Sequence, residues 1–242
     1  MLEARDLTKR YENGVLALDG LNMKVNPGEI YVMLGANGAG KTTTISLFFN
    51  FIEPTRGTAF VNDIEIPKLP LEAKKHMAYV SENVQLYGNF TARQNLEFFA
   101  KLGGRKDVTR KEIDETLERV GLPSESFRRR VKTFSKGMRQ RLGIAIAMIK
   151  RADAVLLDEP TSGLDPEGGA EFLKLLRELR SEGKAIFMCT HDLFRAKQIA
   201  DRLGILMRGK LVRELKREEV EKEDLEELYL RYVGYEEGVK RS

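Results

Sequence analysis

The run Gly35-Ala36-Asn37-Gly38-Ala39-Gly40-Lys41-Thr42 fits the spacing G-x-x-x-x-G-K-[ST], glycine-rich and closed by a lysine and a hydroxyl. Residues of these types at this spacing suit one kind of chemistry, the holding of a polyphosphate. Backbone N–H groups of a tight loop converge on phosphate oxygens, and side chains at Gly38 and Gly40 would block that approach. Lys41 reaches the outer phosphates as a point charge, the Thr42 hydroxyl is placed to ligate Mg²⁺, and Thr43 follows in the same turn. A second pair with chemical potential, Asp158-Glu159, stands between an apolar run and Pro160. Side chains of successive strand residues face opposite ways, so the two acids are expected to divide the work. Asp158 is the candidate for holding Mg²⁺. Glu159 is the candidate for orienting, or taking a proton from, a water that attacks the terminal phosphate.

The elements that must position these residues show in the apolar pattern. Ile30 to Leu34 is continuously apolar, as a strand covered on both faces would be, and it feeds the glycine loop. Ile45, Phe48 and Phe49 then mark one helical face. Leu21, Met23 and Val25 alternate as a half-buried strand, and short strands are expected over 58–61 and 77–80. Ala154 to Leu157 precedes the acidic pair, while Ala185 to Cys189 and Gly204 to Met207 read as further buried strands. The middle of the chain is helical: Thr91 with Gln94 and Thr109 with Glu112 fit capping boxes, and Ile113, Leu117 and Val120 recur at helical spacing. A helix is expected from Ser135 to Lys150, and Asp165-Pro166 opens another that carries Phe172, Leu175, Leu176 and Leu179. Leu225, Leu228, Tyr229 and Tyr232 form a last stripe, expected to dock on the rest. Strands alternating with helices predict an α/β fold with a mainly parallel sheet, whose ligand edge lies at the carboxyl ends of the strands.

Composition sets the outer bounds. The chain has 242 residues, with 41 Lys plus Arg against 37 Asp plus Glu and a net charge of +4. Hydrophobic content of 42% and charged content of 32% exclude a disordered polyelectrolyte. Cys189, alone of its kind, excludes an internal disulfide framework and a cysteine-rich metal site, and it is expected to be core in a protein of a reducing compartment. No stretch approaches the ~18 apolar residues of a membrane span. Met1-Leu2-Glu3-Ala4-Arg5 is not a basic-then-apolar leader. The charges are interspersed, so no nucleic-acid partner is expected, and Arg128-Arg129-Arg130 with Lys132 reads as a solvated loop. His76 is read as structural.

Further motifs fall in a telling order. Phe134-Ser135-Lys136-Gly137-Met138, followed by Arg139-Gln140-Arg141, resembles the signature motif of ATP-binding cassette (ABC) transporter subunits. Ser162-Gly163-Leu164-Asp165 resembles the D-loop of that family, Thr190-His191-Asp192 its switch histidine, and Tyr11 its adenine-stacking aromatic. Taken alone, Ser135 would be an ordinary helix N-cap, His191 a strand-end polar residue and Tyr11 a core or surface tyrosine. The resemblance spans nearly the whole chain. It implies a P-loop NTPase core with a mainly parallel sheet, a small antiparallel β lobe and an inserted helical lobe, all in one domain over 1–242. The core lobe would cover about 1–82 and 152–214, the helical lobe about 83–151, and a C-terminal helix about 215–236. It also implies ATP and Mg²⁺ as cofactors, with hydrolysis of ATP powering a separate integral membrane subunit from the cytoplasmic face of the membrane. Two cassettes, in a homodimer or paired subunits, would clamp ATP between the phosphate loop of one and Ser135 and Gly137 of the other. The segment from Asn83 to Leu102 would pass the motion to the membrane partner.

Three positions depart from the family pattern. Lys136 stands where a glycine is usual, Met138 where glutamine is usual, and Glu82 where a Mg²⁺-contacting glutamine is usual. A carboxylate is also a hard-oxygen ligand, so Glu82 is a candidate metal residue, with Gln85 the alternative. Met138, Glu82 and the ending Leu225 to Gly234 together resemble subunits of exporters. A soluble cassette ATPase acting on nucleic acid or ribosomes is the competing class, but its relatives carry long coiled-coil insertions or two cassettes in one chain.

Overall fold

The chain builds two sheets with a helix trapped between them; the computed structural model describes residues 1–239, with side chains described through Tyr232. In chain order, β1 (Leu2–Arg10) and β2 (Leu16–Val25) form an antiparallel pair, and β3 (Ile30–Leu34) crosses to the other sheet. Next come α1 (Lys41–Phe48), β4 (Arg56–Val61), β5 (Ile64–Glu65), α2 (Pro70–Lys75) and β6 (Met77–Val80). Three helices follow: α3 (Ala92–Leu102), α4 (Arg110–Arg119) and α5 (Lys136–Ile149). The chain then alternates through β7 (Ala154–Asp158), α6 (Pro166–Ser181), β8 (Ala185–Thr190), α7 (Leu193–Ile199) and β9 (Arg202–Met207). It closes with β10 (Lys210–Lys216), α8 (Arg217–Lys222) and α9 (Leu225–Val239).

Among the described residues, four strands in the order β2-β1-β4-β5 make an antiparallel sheet. Six strands in the order β10-β9-β3-β8-β7-β6 make the other, parallel except for the edge strand β10. The continuous apolar runs are explained by the two cores that this sheet separates. Ile30, Val32, Val155, Leu157, Ile186 and Met188 face the core of helices α3 to α6. Their neighbours Tyr31, Met33, Leu156, Phe187 and Cys189 face the core between the sheets, where Ile45, Leu47 and Phe48 of α1 also pack. Each strand is thus buried on both faces, and period-2 alternation survives only as a choice between two cores.

The helices begin where capping chemistry allows. Thr91 and Gln94 form the complete box, with Gln94 N–H donating to Thr91 Oγ1 and Thr91 N–H to Gln94 Oε1. The expected second box is only half made. Thr109 accepts from Glu112 N–H, but the Glu112 carboxylate turns to Arg105, where a guanidinium offers two charge-assisted bonds in place of one amide. The expected single C-terminal helix is two, because Asp224 Oδ1 accepts from the N–H groups of both Glu226 and Glu227 and starts α9 afresh. Leu225 is buried, and Leu228, Tyr229 and Tyr232 pack on the helical core, so the stripe docks as expected. Of the ending Leu225 to Gly234, the side chains beyond Tyr232 lie outside the described residues.

Candidate nucleotide site

Strand order brings the chemistry together. β3, β8, β7 and β6 are consecutive and parallel, so the segments after them emerge side by side on one edge. These segments are the glycine loop, Thr190-His191, Asp158-Glu159 and Ser81-Glu82. A cleft of about 390 Å³ opens there, floored by Asn37, Gly38, Lys41 and Thr42, walled by Glu82, Asp158 and Glu159, with Tyr11 and Thr43 at its side. Gly35 and Ala39 sit behind it.

The loop glycines are needed for unequal reasons. A Cβ on Gly35 would lie 2.6 Å from Leu206 O, and one on Gly40, at φ 114°, would collide with Ala17 O. Packing against the protein, rather than access for a ligand, therefore excludes side chains at those two places. Gly38, at φ 81°, has open space around its Cβ position and borders the cleft; its left-handed backbone is what favours glycine there. Lys41 begins α1 almost fully buried, its Nζ donating to Gly35 O at 2.6 Å and Ala36 O at 3.2 Å. Thr43 Oγ1 lies 3.4 Å from Tyr11 Oη, which places the tyrosine ring, 37% exposed, at the loop.

Asp158 closes β7 and accepts from Thr42 Oγ1 at 2.8 Å. Burial pushes its carboxyl above the ordinary aspartate value, partly opposed by that hydroxyl bond. Glu159 has left the strand and adopts φ 46°. The two acids therefore do not part to opposite faces as strand alternation predicts. Both line the cleft, and the left-handed turn is what gives them different partners. Glu159 Oε2 accepts from Thr190 Oγ1 at 3.0 Å and His191 N–H at 3.3 Å. Its buried Oε1 lies 3.4 Å from Lys41 Nζ and 2.9 Å from His191 Nδ1, yet neither contact has hydrogen-bond geometry. A carboxylate oxygen without a hydrogen-bond partner thus belongs to a residue that borders the cleft.

Glu82 lines the cleft, whereas Gln85 does not and donates instead to Asn83 O at 3.3 Å. Among the described residues no cluster of three or more His, Cys, Asp or Glu side chains is arranged to hold a metal by itself. Thr42 and Asp158 fit Mg²⁺ all the same, because that ion takes one or two protein oxygens and completes its shell with water and phosphate. Ser135 caps α5, accepting from Met138 N–H at 3.2 Å, and is exposed; neither it nor Gly137 lines the cleft of its own chain. Cys189 is core, its thiol pushed well up by burial. His76 is structural, 2.7 Å from Asp153. Arg128, Arg129 and Arg130 are exposed.

Two buried amides, Gln140 and Asn95, have roles that the sequence does not assign. Gln140, 1% exposed, donates from α5 to Ser81 O at 3.1 Å and Glu82 O at 2.8 Å, and so fixes the backbone that carries Glu82. Asn95, fully buried in α3, accepts from Tyr87 N–H and donates to Tyr87 O and Thr91 O. An asparagine among Ala92, Leu96 and Ala100 on an apolar helix face was the available signal.

The profile of the ABC transporter family matches residues 18–162. The chain is 40% identical over 218 residues to the bacitracin transport ATP-binding protein BcrA of Bacillus licheniformis, covering 89% of this chain and 69% of that one. It is 34% identical over 236 residues to the lantibiotic transport ATP-binding protein SrtF of Streptococcus pyogenes, covering 98% and 99%. A solved dimer of the ATP-binding cassette MJ0796, in a post-hydrolysis state with ADP and Pi, superposes with a TM-score of 0.81 at 26% identity, over 90% of this chain and 99% of that one. The glycine loop, the acidic pair and the histidine on one sheet edge thus belong to an ATP-binding subunit of the ABC transporter family, an ATPase that hydrolyses ATP for transport.

Proposed function

We propose that two copies of this chain close on two ATP molecules and that each supplies Ser135 and Gly137 to the other's cleft. The observation that carries this reading is the incompleteness of the cleft. Residues after β3, β6 and β7 and from the turn between β1 and β2 line it, while the exposed start of α5, with its Ser135 hydroxyl and N-terminal N–H groups, contributes nothing to it. Helix N-termini favour anions, so this surface suits the terminal phosphate of a nucleotide held by another copy.

Within the cleft, Tyr11 stacks on the base, and the N–H groups of Gly38 and of Gly40 to Thr43 with Lys41 Nζ hold the phosphates, whereas those of Gly35 and Ala39 are donated to Thr190 O and Ala36 O. Thr42 and Asp158 would hold Mg²⁺, with Glu82 as a further oxygen donor, and the ion would supply positive charge against the phosphates. Glu159 takes the proton of the attacking water through its spare Oε1 lone pairs, and His191, whose Nδ1 faces that oxygen, orients the pair. Lys41 exchanges its loop carbonyl partners for phosphate oxygens, which relieves a buried cation bonded to neutral acceptors.

Among the described residues no helix is long and apolar enough to cross a membrane, and the pore is assigned to a separate polypeptide. A cavity of about 430 Å³ lies between α3 and α5 on one side and α2 and β6 on the other, rimmed by exposed Phe51, Leu71 and Leu102. Tyr87 and Phe90, also exposed, stack on each other beside it, with Phe98 edge-on to both and Phe99 tilted against Tyr87. This apolar surface suits a cytoplasmic loop of the membrane subunit, which supports a peripheral position on the inner face of the membrane. The relatives named for bacitracin and lantibiotic transport support export as the direction. The test is calorimetric titration of ATP into Lys41→Ala, which is expected to weaken binding at least ~100-fold by removing a desolvated charge contact. Binding at wild-type affinity would refute the assignment of the cleft.

A further inference from the structure

Two of the positions that depart from the family pattern, far apart in sequence, meet in space. Lys136 Nζ lies 3.5 Å from Glu82 Oε1, and the same oxygen accepts from Ser162 Oγ at 2.9 Å. The lysine chain reaches Glu82 by crossing Gly163, where a Cβ would come within 3.3 Å of Nζ. Each charge on its own is poorly placed. Lys136 is the first residue of α5, where the positive end of the helix disfavours a cation. Glu82 is a third carboxylate in a cleft that already holds Asp158 and Glu159. Together they neutralise one another, and Gln140 from the same helix holds the Glu82 backbone in reach.

We propose that Lys136 is a positioning residue for Glu82: it draws the carboxylate toward the start of α5 and the Ser162 loop, away from Thr42 and Asp158, and so sets how strongly the loaded cleft attracts Mg²⁺. The inference rests on the cleft reading above, with Glu82 as an oxygen donor. It gives Lys136 a task within its own chain, separate from any contact that α5 makes with a second copy. Both side chains are partly exposed, at 29% and 46%, so the coupling is that of a screened pair.

ADP binding isolates this task, since it requires no closed dimer. A fluorescent methylanthraniloyl-ADP is titrated into the full chain, and Mg²⁺ is then titrated into the loaded protein. Lys136→Met is expected to tighten Mg²⁺ binding about three- to tenfold, the scale of one screened charge several ångströms away. Lys136→Arg keeps the charge and is expected to stay within about twofold of wild type. In a Glu82→Gln background, Lys136→Met is expected to change nothing further. An unchanged Mg²⁺ affinity in Lys136→Met, or an equal change with and without Glu82, overturns the proposal. Wild-type ADP binding that is indifferent to Mg²⁺ would instead overturn the donor assignment beneath it, and the proposal with it.

Discussion

At the residue scale, function rests on how few groups are left with chemistry to spare. Most polar side chains around the cleft are committed to the protein, as Thr42 is to Asp158 and Thr190 is to Glu159. Glu159 Oε1 is not, and it is the atom to which the proton transfer is assigned. Glu82 borders the cleft and Gln85 does not, so Glu82→Ala is expected to slow Mg²⁺-dependent ATP turnover several-fold more than Gln85→Ala. Steady-state phosphate release decides the order, and the reverse order would move the role to Gln85. Cys189 makes a plainer prediction. Its thiol is buried between the sheets with its acidity suppressed, so an aromatic disulfide reagent should find no reactive thiol in the native protein and one after denaturation in urea. Fast native labelling would mean that the core around α1 opens readily. The residues legible in the sequence, Lys41, Thr42, Asp158 and Glu159, were those whose type and spacing carry the chemistry directly. Gln140 and Asn95 were not, because a buried amide that bonds distant main-chain carbonyls obeys no local spacing.

At the element scale, what matters is how segments are tied to the cleft. The stretch from Ser81 to Phe90 has no ladder of its own, and Gln140 from α5 and Asn95 from α3 bond its backbone at Ser81, Glu82 and Tyr87. Glu82 is thus tied directly to α5 through its own carbonyl. Gln140→Leu strips two half-buried carbonyls of their donor and is expected to cost about 1 kcal/mol of stability. Urea denaturation of the variant beside wild type measures this, and a cost below a few tenths would show that the amide is dispensable. The central strands β3, β7 and β8 were legible almost residue by residue, since burial on both faces demands unbroken apolar runs, whereas the antiparallel β1, β5 and β10 were not read. The turn after β7 was not. A left-handed glutamate leaves no mark in composition, and it is this turn that keeps both acids in one cleft. The capping residue Asp224, which divides the last helix in two, looked like one more acid in an acidic stretch.

At the scale of the whole molecule, the account stands on half-sites. One protomer holds the phosphate loop and the acids, but Ser135 and Gly137 lie outside its own cleft, and the proposed pairing is what would bring the two together. ATP drives that closure only by making contacts in the closed pair that the open chain lacks. Relatives and solved cassettes fixed the family, while the cleft indicates why a pair is required. The decisive measurement is sedimentation of Glu159→Gln at saturating ATP with Mg²⁺, compared with ADP. The account predicts a species of twice the 27.5 kDa protomer with ATP and a monomer with ADP. A monomer under both conditions, with ATP shown to be bound, would contradict it.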